Sequence, residues 1–124
     1  MKTLPTSMMR HEAVLEAPSA VDGWKGVSFG EPVTLTRVHV QRERALAVTD
    51  GLTADMEIRP AAHLWYDARL SQPRGLDFIA LQRQAEAVGA HLKVTHGGIA
   101  YRVTRVDELL DGRGDVHHYR LELV

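Results

Sequence analysis

Residues 114–124 read GDVHHYRLELV, and the phase of this stretch decides the fold. On an extended chain His117, Tyr119, Leu121 and Leu123 share one face, and Val116, His118, Arg120, Glu122 and Val124 share the other. Side chains alternate across a strand with a period of two. The stretch is therefore expected to be a half-buried β-strand that carries the last residue into a sheet. The competing reading is a metal site at the histidine pair. Neighbours on a strand point to opposite faces, so His117 and His118 share one ion only if a bulge intervenes. No HExxH helix and no carboxylate at facial-triad spacing accompanies them. The strand reading is adopted, and no metal is expected.

Similar signals recur upstream. In RHEAVLEA (10–17), His11, Ala13 and Leu15 alternate with Arg10, Glu12 and Glu16, with Val14 breaking the polar set, which predicts a strand. PSAVDGWKG (18–26) is full of turn formers and is expected to be a loop. EPVTLTRVHVQRER (31–44) is the longest strand candidate, but Val33 and Leu35 are out of phase with Val38 and Val40. A β-bulge near Thr36–Arg37 would return both pairs to the core, as would burial of the strand on different sides at its two ends. AHLWYDARL (62–70) alternates through Ala62, Leu64, Tyr66, Ala68 and Leu70 until SQPRG stops it.

One helix is expected, in LDFIALQRQAEAVGAH (76–91). Asp77 is its N-cap, Phe78, Leu81, Ala85 and Val88 form its apolar face, and Gly89 is its C-cap. HLKVTHGGIAYRVTRV (91–106) reads as a hairpin turning at Gly97-Gly98, with Leu92, Val94, Ile99, Tyr101 and Val103 inward. DELLDGRGD (107–115) reads as a loop or short helical turn. The sum is a mainly β chain: a small antiparallel β-barrel or sandwich with one short α-helix, forming a single domain over residues 1–124.

Composition narrows the function classes. The absence of cysteine excludes a disulfide framework, a thiolate zinc site and a cysteine nucleophile, and fits a reducing cytoplasm. No run approaches the ~20 apolar residues of a membrane span, and the N-terminus lacks the apolar core of a signal peptide. A net charge of −1 gives no global attraction to nucleic acid or anionic lipid. Twelve of the fifteen basic residues are arginine, a residue favoured at protein interfaces.

No phosphate-binding glycine loop, nucleophile elbow or catalytic triad pattern is present. Ser7, Ser19, Ser28 and Ser71 lie in loops or turns without patterned partners, and the remaining histidines (His11, His39, His63, His91, His96) are scattered singly. Asp50 with Asp55, and Asp111 with Asp115, bracket glycines as turns do, and DGRGD lacks the ligands of a calcium loop. Catalytic, metal and cofactor sites are all expected to be absent. An oligonucleotide-binding barrel is an alternative, with Trp65, Tyr66 and Arg69 on one strand and Tyr101, Arg102 and Arg105 on another. Trp65 and Tyr66 face opposite ways, however, and the tyrosines sit with the apolar set. A small enzyme of unknown chemistry is a third reading.

The ordered set HEAVLEAPSAVDGWKGVSFGEPVTLTRVHVQ, HLWYDARLSQP, GIAYRVTRVDELLDG and HHYRLELV resembles the minor capsid proteins of tailed bacteriophages, a family similar to the head-completion or stopper proteins of the head–tail connector. The shared pattern is an Asp22-Gly23-Trp24 loop, Val38-His39-Val40, Tyr66-Asp67-Ala68 with Ser71-Gln72-Pro73, Gly98 through Tyr101, Val103 and Val106, and the closing His117 to Val124. The segment Gly75 to Gly89 departs from it, being longer and more helical. The resemblance implies a structural virion protein of the phage neck, found in host cytoplasm during assembly. It implies the stopper ring or another neck ring (adaptor or tail terminator), built from six or twelve copies. The implied partners are a portal or adaptor ring, tail or tail-terminator proteins, and packaged DNA contacted without sequence specificity, with no membrane. Thr49, Asp50, Gly51, Leu52, Thr53, Ala54 and Asp55 are expected to form a channel-facing loop, and Arg69 and Arg120 a ring interface.

Overall fold

The computed structural model describes residues 6–22, 26–43 and 61–124. After a 3-10 turn at Thr6–Met8 come β1 (His11–Glu16), β2 (Pro18–Asp22), β3 (Gly26–Phe29), β4 (Val33–Arg42), β5 (Ala62–Asp67), α1 (Phe78–Ala87), β6 (Lys93–His96), β7 (Ile99–Leu110) and β8 (Val116–Leu123). Six strands close an antiparallel barrel in the order β1-β4-β5-β8-β7-β6, with β6 returning to β1. Closure leaves the barrel without an edge strand to be covered.

Alternation fills the interior. Leu64 and Tyr66 of β5 lie opposite Leu121 and Tyr119 of β8, and all four are buried. Each such large apolar side chain contributes about 1.5–3 kcal/mol by leaving water. Ala13, Leu15, Val94, Val103 and Leu123 complete the wall from the other strands.

The phase slip in β4 is a bulge. His11 opposes Val38 while Glu12 opposes Thr36, so Arg37 is the extra residue, and its φ is +53°. Leu35 and Val38 are both fully buried as a result. Ser71 and Gln72 clamp the bulge: the Ser71 hydroxyl donates to the Arg37 carbonyl at 2.6 Å, and Thr36 and Gln72 exchange backbone hydrogen bonds of 2.9 and 3.1 Å.

Helix α1 packs against the barrel. Asp77 caps it by accepting from the Ala80 N–H at 3.1 Å. It ends in a Schellman motif: the Ala90 N–H reaches the Ala85 carbonyl and the Gly89 N–H reaches that of Glu86, each at 2.9 Å, with Gly89 at φ +73°. Phe78 enters the core edge-on to Tyr66 (4.9 Å between centroids) and to Tyr119 (5.2 Å). Burial raises the pKa of both phenols above the ordinary value.

Several expectations are corrected. The stretch 18–26 is not all loop. Its first residues form β2, which pairs with β3 in a two-stranded sheet separate from the barrel. Residues 107–110 extend β7 instead of forming a loop or helical turn. Two bulges hide that extension, one at Thr104 and one where Leu109 opposes His118 but Leu110 opposes Val116. Ala68 and Leu70 lie in a turn beyond β5. Ile99 and Val88, assigned to the core, are exposed, because one sits beside the Gly97-Gly98 turn and the other at the helix cap. Gln82 takes the inward helix position and donates to the Val103 carbonyl at 3.2 Å.

Candidate functional site

Three side-chain clusters lie on this frame. The first crosses the outside of β6, β1, β4 and β5, where His96, His11, His39, Trp65 and His63 form a continuous ladder of rings. Successive centroids are 5.3, 5.3, 5.4 and 5.7 Å apart. Backbone and carboxylate groups orient the imidazoles. Nδ1 of His39 meets the Met8 carbonyl at 3.1 Å, Nδ1 of His96 the Glu12 carbonyl at 2.9 Å, and Nδ1 of His63 a Glu43 carboxylate oxygen at 3.0 Å. Carbonyls and carboxylates only accept, so these three nitrogens carry hydrogen. In His11, Nδ1 instead accepts the Val40 N–H. Burial, then His39 and His96, lower the His11 pKa. The sequence shows these histidines as isolated; their meeting depends on register between strands and has no local signal.

The second cluster contains the opening pair. His117 is the extra residue of the β8 bulge. The bulge turns the two rings toward each other, and their Nδ1 atoms lie 2.9 Å apart. Arg69 Nη2 hydrogen-bonds His117 Nε2. A guanidinium can only donate, so with its hydrogen on Nδ1, His117 donates a hydrogen bond to Nδ1 of His118. His118 is buried, and burial followed by the neighbouring His117 lowers its pKa, with Asp67 opposing and Arg120 reinforcing the shift. The expectation that the two rings point apart is thus corrected by the bulge. Among the described residues no group of three or more His, Asp or Glu side chains is placed to hold a metal ion.

The third cluster holds Arg120. Its Nη2 donates to Asp107 Oδ2 at 3.0 Å across the β7–β8 pair, and Arg105 Nε donates to Asp107 Oδ1 at 2.8 Å. Burial pushes the Asp107 carboxyl up, but the two guanidiniums outweigh it and hold the carboxyl below its ordinary range. Arg69 and Arg120 are therefore both engaged within the chain. Thr49 to Asp55, the expected channel-facing loop, lie outside the described residues. Tyr66 and Tyr101 are buried, which removes them as base-stacking platforms, and Trp65 is flanked by His39 and His63.

A groove of about 400 Å³ runs between β3 and the barrel, lined by Val27, Phe29, Leu92 and Tyr101 with Lys93 and Arg102. Lys93 lies 5.3 Å over the Phe29 ring and 3.8 Å from a Glu16 carboxylate oxygen. Set beside known proteins, the chain matches no family model, no curated protein and no solved structure.

Proposed function

We propose that this chain is a structural protein of the bacteriophage neck, a head-completion or stopper subunit that assembles as a ring between the portal or adaptor ring and the tail. One observation supports the reading above others. Four of the stretches that carry the family resemblance, far apart in sequence, are hydrogen-bonded into one closed barrel with an architectural task each, while β2 and β3 form a separate sheet and Gly23-Trp24 lie outside the described residues. Val38-His39-Val40 follows the β4 bulge, Ser71-Gln72 clamps that bulge, Tyr101 and Val103 line the core, and His117 to Leu123 form β8. Such use of the motif residues suits a scaffold better than a catalyst. The groove beside β3 is assigned to the neighbouring copy, whose flank would supply carboxylates to Lys93 and Arg102.

The test combines native mass with imaging of particle necks. A ring at the neck that contains this chain is expected. Val27→Glu, at an exposed position in the groove wall, should leave the melting temperature within about 2 °C of wild type and remove the protein from particles. Normal incorporation of this variant would sink the groove assignment. A neck without the chain would sink the function.

A further inference from the structure

We propose that the pocket walled by Ser7, Met9, Arg10, Arg37 and Leu70 binds a phosphate group carried on an ester. The pocket has a volume of about 560 Å³ and forms where the 3-10 turn, the β4 bulge and the turn after β5 meet. The polar residues in its lining are Arg10, Arg37 and Ser7, all exposed, with no acidic residue among them. Among the described residues neither arginine has an ion-pair partner.

The backbone adds an independent reason. Arg37 is the only non-glycine residue of positive φ among the described residues, at +53°. Glycine would fill that bulge position without steric cost. An arginine there puts a cationic residue in the pocket lining at the expense of local backbone strain, as residues at binding sites do. The bulge is also held from behind, through the 2.6 Å bond from the Ser71 hydroxyl to the Arg37 carbonyl and the paired bonds between Thr36 and Gln72. The arginine thus stands on a fixed backbone, which lowers the cost of ordering the site around a bound anion.

The donor set selects the chemistry. One guanidinium fork already satisfies a flat carboxylate, whereas two forks and a hydroxyl match the oxygens of a tetrahedral phosphate. The pocket exceeds a bare phosphate in size, and Met9 and Leu70 offer an apolar wall to the esterified group. The source is a mononucleotide-like phosphate or the backbone of a nucleic acid. The site stands on pocket geometry and does not depend on ring assembly.

The test uses the full chain with inorganic phosphate, AMP and a short single-stranded oligonucleotide, at matched ionic strength against chloride and acetate. Binding is read by amide chemical shifts of residues 7–10, 37 and 70 and by thermal shift. Arg37→Gly retains the positive-φ backbone and is expected to fold at least as stably as wild type, and Arg10→Gln changes an exposed residue. Each should weaken phosphate binding by about tenfold or more, the worth of one charge-assisted hydrogen bond. Competition between oligonucleotide and phosphate assigns the site to nucleic acid; AMP binding without oligonucleotide binding assigns it to a free ester. No shift at these residues at millimolar phosphate, equal binding of acetate, or undiminished binding in both folded variants overturns the proposal.

Discussion

Nδ1 of His11 accepts the backbone N–H of Val40 at 2.9 Å, two residues beyond the last β1–β4 pair, His11 with Val38. The imidazole replaces a strand partner that β1 no longer supplies, and it does so only while Nδ1 is unprotonated. His39 of β4 and His96 of β6 face it, and Arg10 and Glu12 are its neighbours along the chain. Its pKa is lowered by folding, so the folded state binds fewer protons than the unfolded chain. The resulting stability is present above the ordinary value of 6.5 and is lost as pH falls through the lower folded value. His118 acts in the same direction. The melting temperature should therefore fall as pH drops below 6.5, and His11→Ala should flatten that limb while costing about 1–3 kcal/mol at pH 7.5 through the orphaned Val40 N–H. Urea titrations at several pH values check both. An unchanged acid limb in the variant would contradict the account.

Ser71 is fully buried, donates to the Arg37 carbonyl and accepts the Asp67 N–H at 2.9 Å. Ser71→Ala removes both bonds at once and leaves two backbone groups without their partner. A loss of about 2–4 kcal/mol is expected, and amide exchange should speed up at Arg37 and Asp67 before it does in β8. A loss below about 0.5 kcal/mol, the size of an ordinary surface substitution, would show that the bulge does not depend on this clamp.

Strands β5 and β8 were legible because each has one buried face, so period two survives in Leu64-Tyr66 and Leu121-Leu123. The β4 bulge was legible because the Leu35–Val38 spacing breaks that period. The β2–β3 sheet was not, because it stands apart from the barrel and its sequence is dominated by turn formers. The end of β7 was hidden by Leu109-Leu110, adjacent apolar residues that a bulge accommodates and a simple alternation does not. The imidazole ladder and the arginine pocket arise from strand pairing and chain crossings, and neither has a signature along the chain.

Arg120, expected from sequence to serve a ring interface, is bonded to Asp107. Arg120→Glu sets two carboxylates opposite each other on paired strands and should cost about 1 kcal/mol. The exchanged pair Asp107→Arg with Arg120→Glu should recover part of that loss. The same substitutions test incorporation into particles: recovery of stability without recovery of incorporation would separate an interface role of Arg120 from its role in the fold. If the exchange recovers neither, the pair at 3.0 Å contributes little.

His117 and His118 end where the sequence began, as a bulged pair on the closing strand. His117 Nε2 is engaged by Arg69, and His118 Nδ1 by the hydrogen on His117 Nδ1. The lone pairs a metal would need are committed, and freeing them means breaking the Arg69 contact. Nitrogen chemical shifts at pH 7.5 should therefore report hydrogen on Nδ1 of His117 and the Nε2–H tautomer for His118. Arg69→Gln should let His117 redistribute between tautomers while His118 stays buried. A strong chelator should leave the melting temperature within about 1 °C of its starting value, as expected where the acceptor nitrogens of both imidazoles are already engaged. A large drop on chelation, reversed by adding back zinc but not magnesium, would reassign the pair as ligands and would require the Arg69 contact to be absent in solution.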